Sequence, residues 1–219
     1  MSRTTKAITP ELHDYLVRHN RPPPDEVLLD LAAETAKALP DEAGMQIAPE
    51  QGAFMTLLTK TLNVRYAVEV GTFTGYSSLC IARGLADGGR LLCCDVSAEF
   101  TAIAQRYWER AGVADRIELR LAPAVETLRD LPTDPSIDLA FIDADKEGYV
   151  DYWEEIVART RPGGVILVDN VFSNSRVVSD DPGPVGEAIQ RFNDHAADDD
   201  RVELAMLPIA DGLTFARKR

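Results

Sequence analysis

The sequence has few of the features that mark membrane, secreted and zinc-binding proteins. No apolar run approaches the ~20 residues of a membrane-spanning helix. The N-terminus lacks the apolar segment of a secretory signal, so we expect a cytoplasmic protein. Three cysteines occur in 219 residues, and none is spaced as C-x-x-C. Cys93 and Cys94 are neighbours in an apparent strand, where their side chains point to opposite faces and cannot pair.

Basic residues are also scarce relative to acidic ones. The 23 Lys and Arg residues are outnumbered by 36 Asp and Glu residues, which gives a formal net charge of −13. Binding to a nucleic-acid backbone depends on clustered Lys and Arg, and no such block is present. We therefore expect a small-molecule partner, with neither nucleic acid nor a membrane surface as a ligand.

Strand-like and helix-like segments alternate regularly in the part of the chain after residue 65. Helical patterns separate the apolar segments, which predicts an α/β fold with a doubly wound, mostly parallel sheet covered on both faces. Two further strands, 201–209 and 212–218, are separated by a turn and predict a C-terminal antiparallel hairpin. The segments predicted as parallel strands are 66–71, 90–95, 117–121, 137–143 and 163–170.

The organisation of the whole chain is simple. No internal repeat or long linker divides it, so we predict a single domain over residues 1–219. Residues 1–64 are predicted to form a helical cover, and residues 65–219 the sheet with its helices. The acidic run at 194–200 is predicted to be a solvated turn. The helices predicted in the N-terminal part lie at about 10–19, 25–39 and 49–62.

Glycines at the end of the first predicted strand indicate a ligand-binding turn. The segment VEVGTFTGYSS places Gly71 and Gly75 at a strand-to-helix turn, where glycine lets the backbone approach a ligand closely. The spacing differs from the G-x-G-x-x-G of dinucleotide sites, so it favours a nucleoside ligand without a diphosphate. A buried Glu69 needs a partner such as an ammonium group or a ribose. Asp95, at the end of the second strand, is placed to bind ribose hydroxyls; the alternative is a tight turn with Asp95 as a helix cap.

Acidic side chains follow two neighbouring strands of the predicted sheet. Asp143 ends one strand, and Asp169 and Asn170 end the next. Neighbouring parallel strands lie ~4.8 Å apart and share one ligand-binding edge, so these side chains can offer three oxygens to one ion. Oxygen ligands suit Mg²⁺, Mn²⁺ or Ca²⁺ rather than zinc. Lys146 can reach the same edge as a general base beside the cation. The alternatives are that the acids cap helices and that Lys146 forms an exposed salt bridge.

The motifs EVGTFTGYSS, FIDADK and LVDN occur in this order, and with them the chain resembles the cation-dependent O-methyltransferases of the caffeoyl-CoA and catechol type. The resemblance runs from about residue 45 to residue 219. It implies a Rossmann-like class I methyltransferase fold that binds S-adenosylmethionine and a divalent cation, Mg²⁺ first, with Mn²⁺ or Ca²⁺ as alternatives. Asp143, Asp169 and Asn170 match the family's metal ligands, and Lys146 matches its base. The positions that match cofactor contacts are Met45, Glu69, Gly71, Thr72, Ser77, Asp95, Ala124 and Asp143.

The resemblance also implies a reaction and an assembly. We expect in-line methyl transfer to a hydroxyl of a small aromatic vicinal diol held on the metal, with Asp143 and Lys146 as the catalytic residues, in a homodimer. A tRNA hydroxyuridine O-methyltransferase of the same family is an alternative that the acidic composition disfavours. An NAD-dependent oxidoreductase lacks support because G-x-G-x-x-G is missing, and a non-catalytic nucleoside-binding module would not need Lys146. The segment 172–183, the expected acceptor wall, has no pattern that identifies the acceptor.

Overall fold

A computed structural model describes residues 8–219 of the chain. Within this range, helices alternate with strands that form one mixed sheet. The strands are β1 (Tyr66–Val70), β2 (Arg90–Asp95), β3 (Ile117–Leu121), β4 (Ile137–Ile142), β5 (Thr160–Asp169), β6 (Val202–Leu207) and β7 (Leu213–Lys218). The helices are α1 (Pro10–His19), α2 (Glu26–Ala38), α3 (Pro49–Thr61), α4 (Tyr76–Gly84), α5 (Ala98–Arg110), α6 (Ala124–Arg129), α7 (Tyr149–Arg159) and α8 (Gly183–Ala197).

The sheet has seven strands in the order β3-β2-β1-β4-β5-β7-β6. Strands β1 to β5 pair in parallel, whereas β7 is antiparallel to both β5 and β6. The chain crosses from one side of β1 to the other between β3 and β4, and such a reversal leaves a ligand crevice at the carboxyl ends of the strands. The predicted doubly wound α/β sheet with a C-terminal hairpin is confirmed, although β5 begins at Thr160, before the predicted residue 163.

Side chains of the strands alternate between two apolar layers. Ala67 of β1 packs in the layer formed with α2 to α5, whereas Val68 and Val70 pack in the layer formed with α6 to α8. Cys93 and Cys94 fall in opposite layers, as the alternation predicted, and the three cysteines are buried and unpaired. Full burial of one large apolar side chain stabilises the fold by about 1.5–3 kcal/mol, so these layers hold the strand register in place.

Helices α2 and α3 pack on one face of the sheet, and α3 contacts α4 closely. A side chain at Gly52 would place its Cβ 2.9 Å from Cys80 Sγ, so glycine permits this close approach. Thr56 Oγ1 donates a hydrogen bond to the carbonyl oxygen of Cys80 at 3.0 Å across the same contact. Among residues 8–219, no helix combines the length and the apolar character that crossing a bilayer requires.

The acidic run at 194–200 is not the solvated turn that we predicted, because residues 194–197 form the last turn of α8. Asp199 is a buried acceptor: the side chain is 5% exposed and receives a hydrogen bond from Trp153 Nε1 at 2.8 Å. It also forms an ion pair with Arg201 at 2.6 Å, which holds the pKa of Asp199 well below its usual range. The prediction was wrong at this residue because a buried indole N–H requires an acceptor, and sequence spacing does not reveal that partner.

Candidate active site

A cavity of about 880 Å³ opens at the carboxyl ends of the parallel strands. It lies where ligands bind in open parallel sheets, and its size is typical of a ligand site. The lining side chains come from the segments 44–51, 71–77, 94–100, 122–124, 143–146, 169–176 and 210–211, with Tyr152 and Val185.

The loop after β1 packs tightly on the end of β4. Gly71 has φ +89°, and a Cβ at this position would lie 1.9 Å from the carbonyl oxygen of Asp143. Gly75 also has φ +89°, and its Cβ would lie 2.6 Å from Ala104 Cβ. Both positions therefore require glycine: Gly71 lets the loop lie close to the β4 edge, and Gly75 lets the start of α4 lie against α5.

Asp95 holds this loop in place through the backbone. Its Oδ2 accepts hydrogen bonds from the N–H groups of Thr72 and Phe73 at 2.9 and 2.8 Å, and its Oδ1 accepts one from Ser97 N at 2.8 Å. The carboxylate therefore ties the loop after β1 to the loop after β2. Asp95 also lines the cavity, and its proposed contact with a ribose stays a prediction.

Glu69 lies below the loop as a fully buried acid. Its Oε2 accepts a hydrogen bond from Cys93 Sγ at 3.3 Å, but within residues 8–219 no group donates to Oε1. Burial raises the pKa of Glu69 to about 8, although the nearby Ser77 and Thr72 hydroxyls favour its charged form. A buried carboxyl of this kind can bind a polar or cationic group of a ligand. The contact between Glu69 and the cofactor stays a prediction.

The other residues proposed to contact the cofactor surround the same cavity. Met45 lies at the rim, 53% exposed, while Thr72, Ser77 and Ala124 are buried in the wall. The structure thus brings these four side chains together at the cavity from distant parts of the sequence, whereas Glu69 lies outside the cavity lining. Individual contacts of these residues stay predictions.

The acidic side chains after β4 and β5 converge on one positive group. Lys146 Nζ donates to Asp143 Oδ1 at 2.9 Å, to Asn170 Oδ1 at 2.7 Å and to Tyr149 Oη at 2.6 Å. Two oxygens from neighbouring strands therefore already share one cation, here an ammonium. The predicted proximity of Asp143, Asn170 and Lys146 is observed, and their roles stay predictions.

Asp169 completes this oxygen-rich edge and is 2% exposed. Its Oδ2 accepts a hydrogen bond from Gln51 Nε2 at 2.8 Å, and its Oδ1 accepts one from Asn170 N at 2.7 Å. Burial and the neighbouring Asp143 carboxylate raise the pKa of Asp169 to about 7. The Asp169 carboxyl therefore loses its proton less readily than a solvated one, and the positive charge of a bound cation would favour that loss.

The donor set fits a hard divalent cation. No three His, Cys, Asp or Glu side chains of the described chain cluster as a metal site. The third candidate donor is the amide oxygen of Asn170, and two carboxylates with one amide form an all-oxygen set of the kind that Mg²⁺ and Ca²⁺ prefer.

The segment predicted as the acceptor wall, residues 172–183, and Asn170 just before it have an unusual backbone. Asn170, Ser173, Asn174 and Ser175 have φ of 56°, 50°, 50° and 64°, values that L-residues rarely adopt. Asp211 stabilises this shape because both of its carboxylate oxygens accept a hydrogen bond from Asn174 N, at 2.8 and 2.9 Å. Strained backbone of this kind persists where surrounding contacts hold it, and it is common at binding sites.

Sequence reasoning missed Gln51, Tyr149 and Asp211 as parts of this region. Gln51 lies inside the resembling segment MQIAPEQGAF, but nothing in its spacing marks a contact with Asp169. Tyr149 follows Lys146 by three residues, the separation that brings two side chains to one side of a helical turn, and this signal was available. The contact of Asp211 depends on the hairpin turn and had no sequence signal.

The fold and this cavity define the class of the protein. A seven-stranded sheet in this order, with a glycine loop after β1, is the class I architecture of S-adenosylmethionine-dependent methyltransferases. A Bacillus cereus O-methyltransferase in complex with SAH matches with a TM-score of 0.84 and 32% identity, over 95% of this chain and 97% of that chain. A Streptomyces achromogenes O-methyltransferase involved in tomaymycin synthesis, in complex with SAM, matches with a TM-score of 0.85 and 29% identity, over 95% and 96% of the two chains.

Sequence comparison identifies the family. The profile of the family described as O-methyltransferase matches residues 21–219. Probable caffeoyl-CoA O-methyltransferase 1 of Dictyostelium discoideum is 42% identical over 176 residues, which are 77% of this chain and 76% of that protein. Caffeoyl-CoA O-methyltransferase 2 of Zea mays is 36% identical over 185 residues, 80% of this chain and 70% of that protein. The chain belongs to this family and is an S-adenosylmethionine-dependent O-methyltransferase, which leaves the oxidoreductase and the non-catalytic module without support.

Proposed function

We propose that this O-methyltransferase methylates one hydroxyl of a small aromatic vicinal diol held on a divalent cation, with Mg²⁺ as the first choice. The observation that carries the proposal is the convergence of Asp143 Oδ1 and Asn170 Oδ1 on the single cationic nitrogen of Lys146, at 2.9 and 2.7 Å. Oxygens that share an ammonium at these distances need little movement to share a metal ion. Asp143, Asp169 and Asn170 would hold that ion.

The proposed chemistry divides between the ligands and the chain. When bound, S-adenosylmethionine supplies the electrophilic methyl group, and the cation supplies charge that fixes two acceptor oxygens and favours ionisation of one. In its neutral amine form, Lys146 would take the hydroxyl proton as that oxygen bonds to the methyl carbon and the sulfur–carbon bond breaks. Tyr149, which is fully buried, keeps Nζ at this edge through its hydroxyl at 2.6 Å.

The acceptor class rests on the geometry of a bidentate ligand. Two adjacent hydroxyls on a flat ring can bind one cation together and leave one of them directed at the methyl group. The relatives from Dictyostelium discoideum and Zea mays carry caffeoyl-CoA in their names, and a caffeoyl ring has such a hydroxyl pair. Ser173, Asn174 and Val185 line the cavity, and their position supports a role in contacting the acceptor.

The test is methyl transfer from S-adenosylmethionine to a panel of catechols and polyphenols, with tRNA as a competing acceptor. Each diol is paired with the phenol that lacks the second hydroxyl. We expect the diols to be methylated, the matched phenols to be poor acceptors, and EDTA to abolish turnover until Mg²⁺ or Mn²⁺ is added. Asp169→Ala should act like chelation, with excess metal rescuing it poorly.

Two results would contradict the proposal in different ways. Full turnover in EDTA would remove the cation from the reaction. Methylation of tRNA together with inactivity on every diol would favour the tRNA hydroxyuridine alternative, which the net charge of −13 disfavours.

A further inference from the structure

Gln51 joins the N-terminal helical cover to the acidic edge of the sheet. We propose that Gln51 is a positioning residue of the cation site: its amide nitrogen fixes the Asp169 carboxylate, and its amide oxygen accepts a hydrogen bond from an O–H group bound to the cation. This inference rests on the cation-dependent function proposed above. It assigns a role to a residue that contributes neither a ligand nor a base to that reaction.

The first half of the inference rests on the contact with Asp169. Gln51 is fully buried, and its Nε2 donates to Asp169 Oδ2 at 2.8 Å. Among the described residues, Gln51 is the one side chain that donates a hydrogen bond to this carboxylate. Lys146 instead donates to Asp143 and Asn170. With Asn170 N on Oδ1 and Gln51 on Oδ2, the plane of the carboxylate is set from both sides.

The second half rests on the other end of the same amide. In residues 8–219, Gln51 Oε1 is buried and receives no hydrogen bond, although the side chain lines the cavity. A buried acceptor without a partner costs about 1–3 kcal/mol, so retaining one at a ligand cavity indicates that a donor arrives with the ligand. The Asp169 carboxylate holds Nε2, so Oε1 is the end of the amide left for a hydroxyl or a water on the cation.

The position of Gln51 is held by the packing of α3. Gln51 lies in the first turn of α3, and the adjacent Gly52 lets this turn contact α4, since a Cβ at Gly52 would lie 2.9 Å from both Cys80 Sγ and Tyr76 Cε1. The amide is therefore attached to a helix that packs closely on α4, the helix that follows the glycine loop after β1. Groups that orient metal ligands in this way typically change metal affinity by 10–100-fold when they are removed.

The experiment measures cation binding directly, without turnover. Mn²⁺ alone is titrated into the full chain at saturating SAH, and free Mn²⁺ is followed by its EPR signal. Gln51→Met keeps the length of the side chain but removes the amide, and Gln51→Asn keeps the amide but shortens its reach. We expect both variants to bind Mn²⁺ about 10–100-fold more weakly than the wild type, with unchanged affinity for SAH. Asp169→Asn is a control: the Mn²⁺ binding that this variant loses belongs to the Asp169 site, and the binding that remains belongs to other sites on this acidic chain.

A structural control separates positioning from general loss of packing. Thr59→Val removes another fully buried polar group of α3, whose Oγ1 donates to Met55 O at 2.7 Å, and it should leave Mn²⁺ affinity unchanged. In steady-state assays, the Gln51 variants should raise the Mg²⁺ concentration for half-maximal rate while kcat at saturating Mg²⁺ stays within about threefold of the wild type.

The outcomes distinguish this inference from the function on which it rests. If Asp169→Asn abolishes tight Mn²⁺ binding but both Gln51 variants bind within twofold of the wild type, the positioning role is refuted and the cation site stands. If the wild type binds no Mn²⁺ at the Asp169 site, the cation-dependent function fails and this inference fails with it. If only Gln51→Met misfolds, Gln51→Asn alone decides between these results.

Discussion

Glu69 is a single residue whose burial makes stability depend on pH. Its pKa rises from 4.5 in a solvated chain to about 8 in the fold, chiefly because of burial. Between these values the folded protein holds a proton that the unfolded chain releases, so the free energy of unfolding falls as pH rises, and the slope ends above about pH 8. Within this range, each pH unit lowers the free energy of unfolding by at most about 1.4 kcal/mol.

We predict that Glu69→Gln removes this slope. Relative to the wild type, the variant should gain roughly 2 kcal/mol of stability between pH 6 and pH 8, measured by urea unfolding without cofactor. Asp169, whose pKa is raised to about 7, adds a slope of the same sign in both proteins, so it cancels in the difference. Parallel stability curves for the two proteins would show that Glu69 is ionised in the fold.

Lys146 is predicted to act on the acceptor and not on the cofactor. Lys146→Ala should lower kcat by ~10²–10⁴-fold, the usual contribution of a general base, and should leave the affinity for SAH unchanged by calorimetry. Lys60→Ala, at an exposed position on α3, is the control and should have no effect on either quantity. Normal turnover by Lys146→Ala would assign proton removal to another group.

At the scale of elements, the acceptor wall and the turn between β6 and β7 act as one unit. The Asn174 N–H donates a bifurcated hydrogen bond to the two carboxylate oxygens of Asp211, and the Asp211 carbonyl accepts one from Phe172 N at 2.9 Å. Gly212 lies below Phe172, where a Cβ would be 2.5 Å from the ring. The hairpin therefore supports the left-handed turn at the cavity, on the side where we propose that the acceptor binds.

We predict that Asp211→Ala raises the KM for the diol about tenfold, the effect of losing ~1.4 kcal/mol of support for the wall, while affinity for SAH is retained. The wall would relax away from its positive-φ turn once Asn174 N has lost its charged acceptor. Asp134→Ala, an exposed carboxylate in the loop before β4, is the matched control. Equal KM values for the two variants would mean that the wall holds its shape without Asp211.

At the scale of the whole molecule, we propose that the protein is a homodimer. Large apolar side chains are exposed on α1, with Leu12 at 48% and Tyr15 at 55%, and on the edge strand β6, with Met206 at 42%. Exposed apolar groups on an edge strand and on a terminal helix are typical of surfaces that become buried in an assembly.

The stability of a homodimer of this acidic chain should depend on salt in a specific way. Sedimentation velocity should give twice the chain mass of 24.0 kDa. Because each copy carries a formal charge of −13, repulsion should weaken the dimer at low ionic strength, and added salt should tighten it. A monomer at every salt concentration would refute the assembly. Leu12→Glu and Met206→Glu, tested separately, would show whether α1 or β6 forms the contact.

Local sequence patterns were sufficient to predict where the strands lie and which residues gather at the carboxyl edge of the sheet. Residues 90–95 and 117–121 became β2 and β3 without change. The centre of β2 is apolar because it is buried on both faces, whereas the edge strand β3 alternates apolar residues with Glu118 and Arg120. Asp143 and Asp169 were expected to lie together since each ends one of two adjacent parallel strands. Gly71 was recognisable because its turn needs a positive φ, a demand that is satisfied locally.

The tertiary structure alone decided which side chains complete the site. Gln51 meets Asp169 across 118 residues of sequence, because α3 packs against α4 and not because of any local spacing. Asp95 accepts hydrogen bonds from N–H groups of the glycine loop after β1. Asp211, in the turn between β6 and β7, accepts a hydrogen bond from Asn174 N of the acceptor wall. Strand ends and turns follow from short-range chemistry, whereas the partner of a buried polar group depends on which elements the core brings into contact.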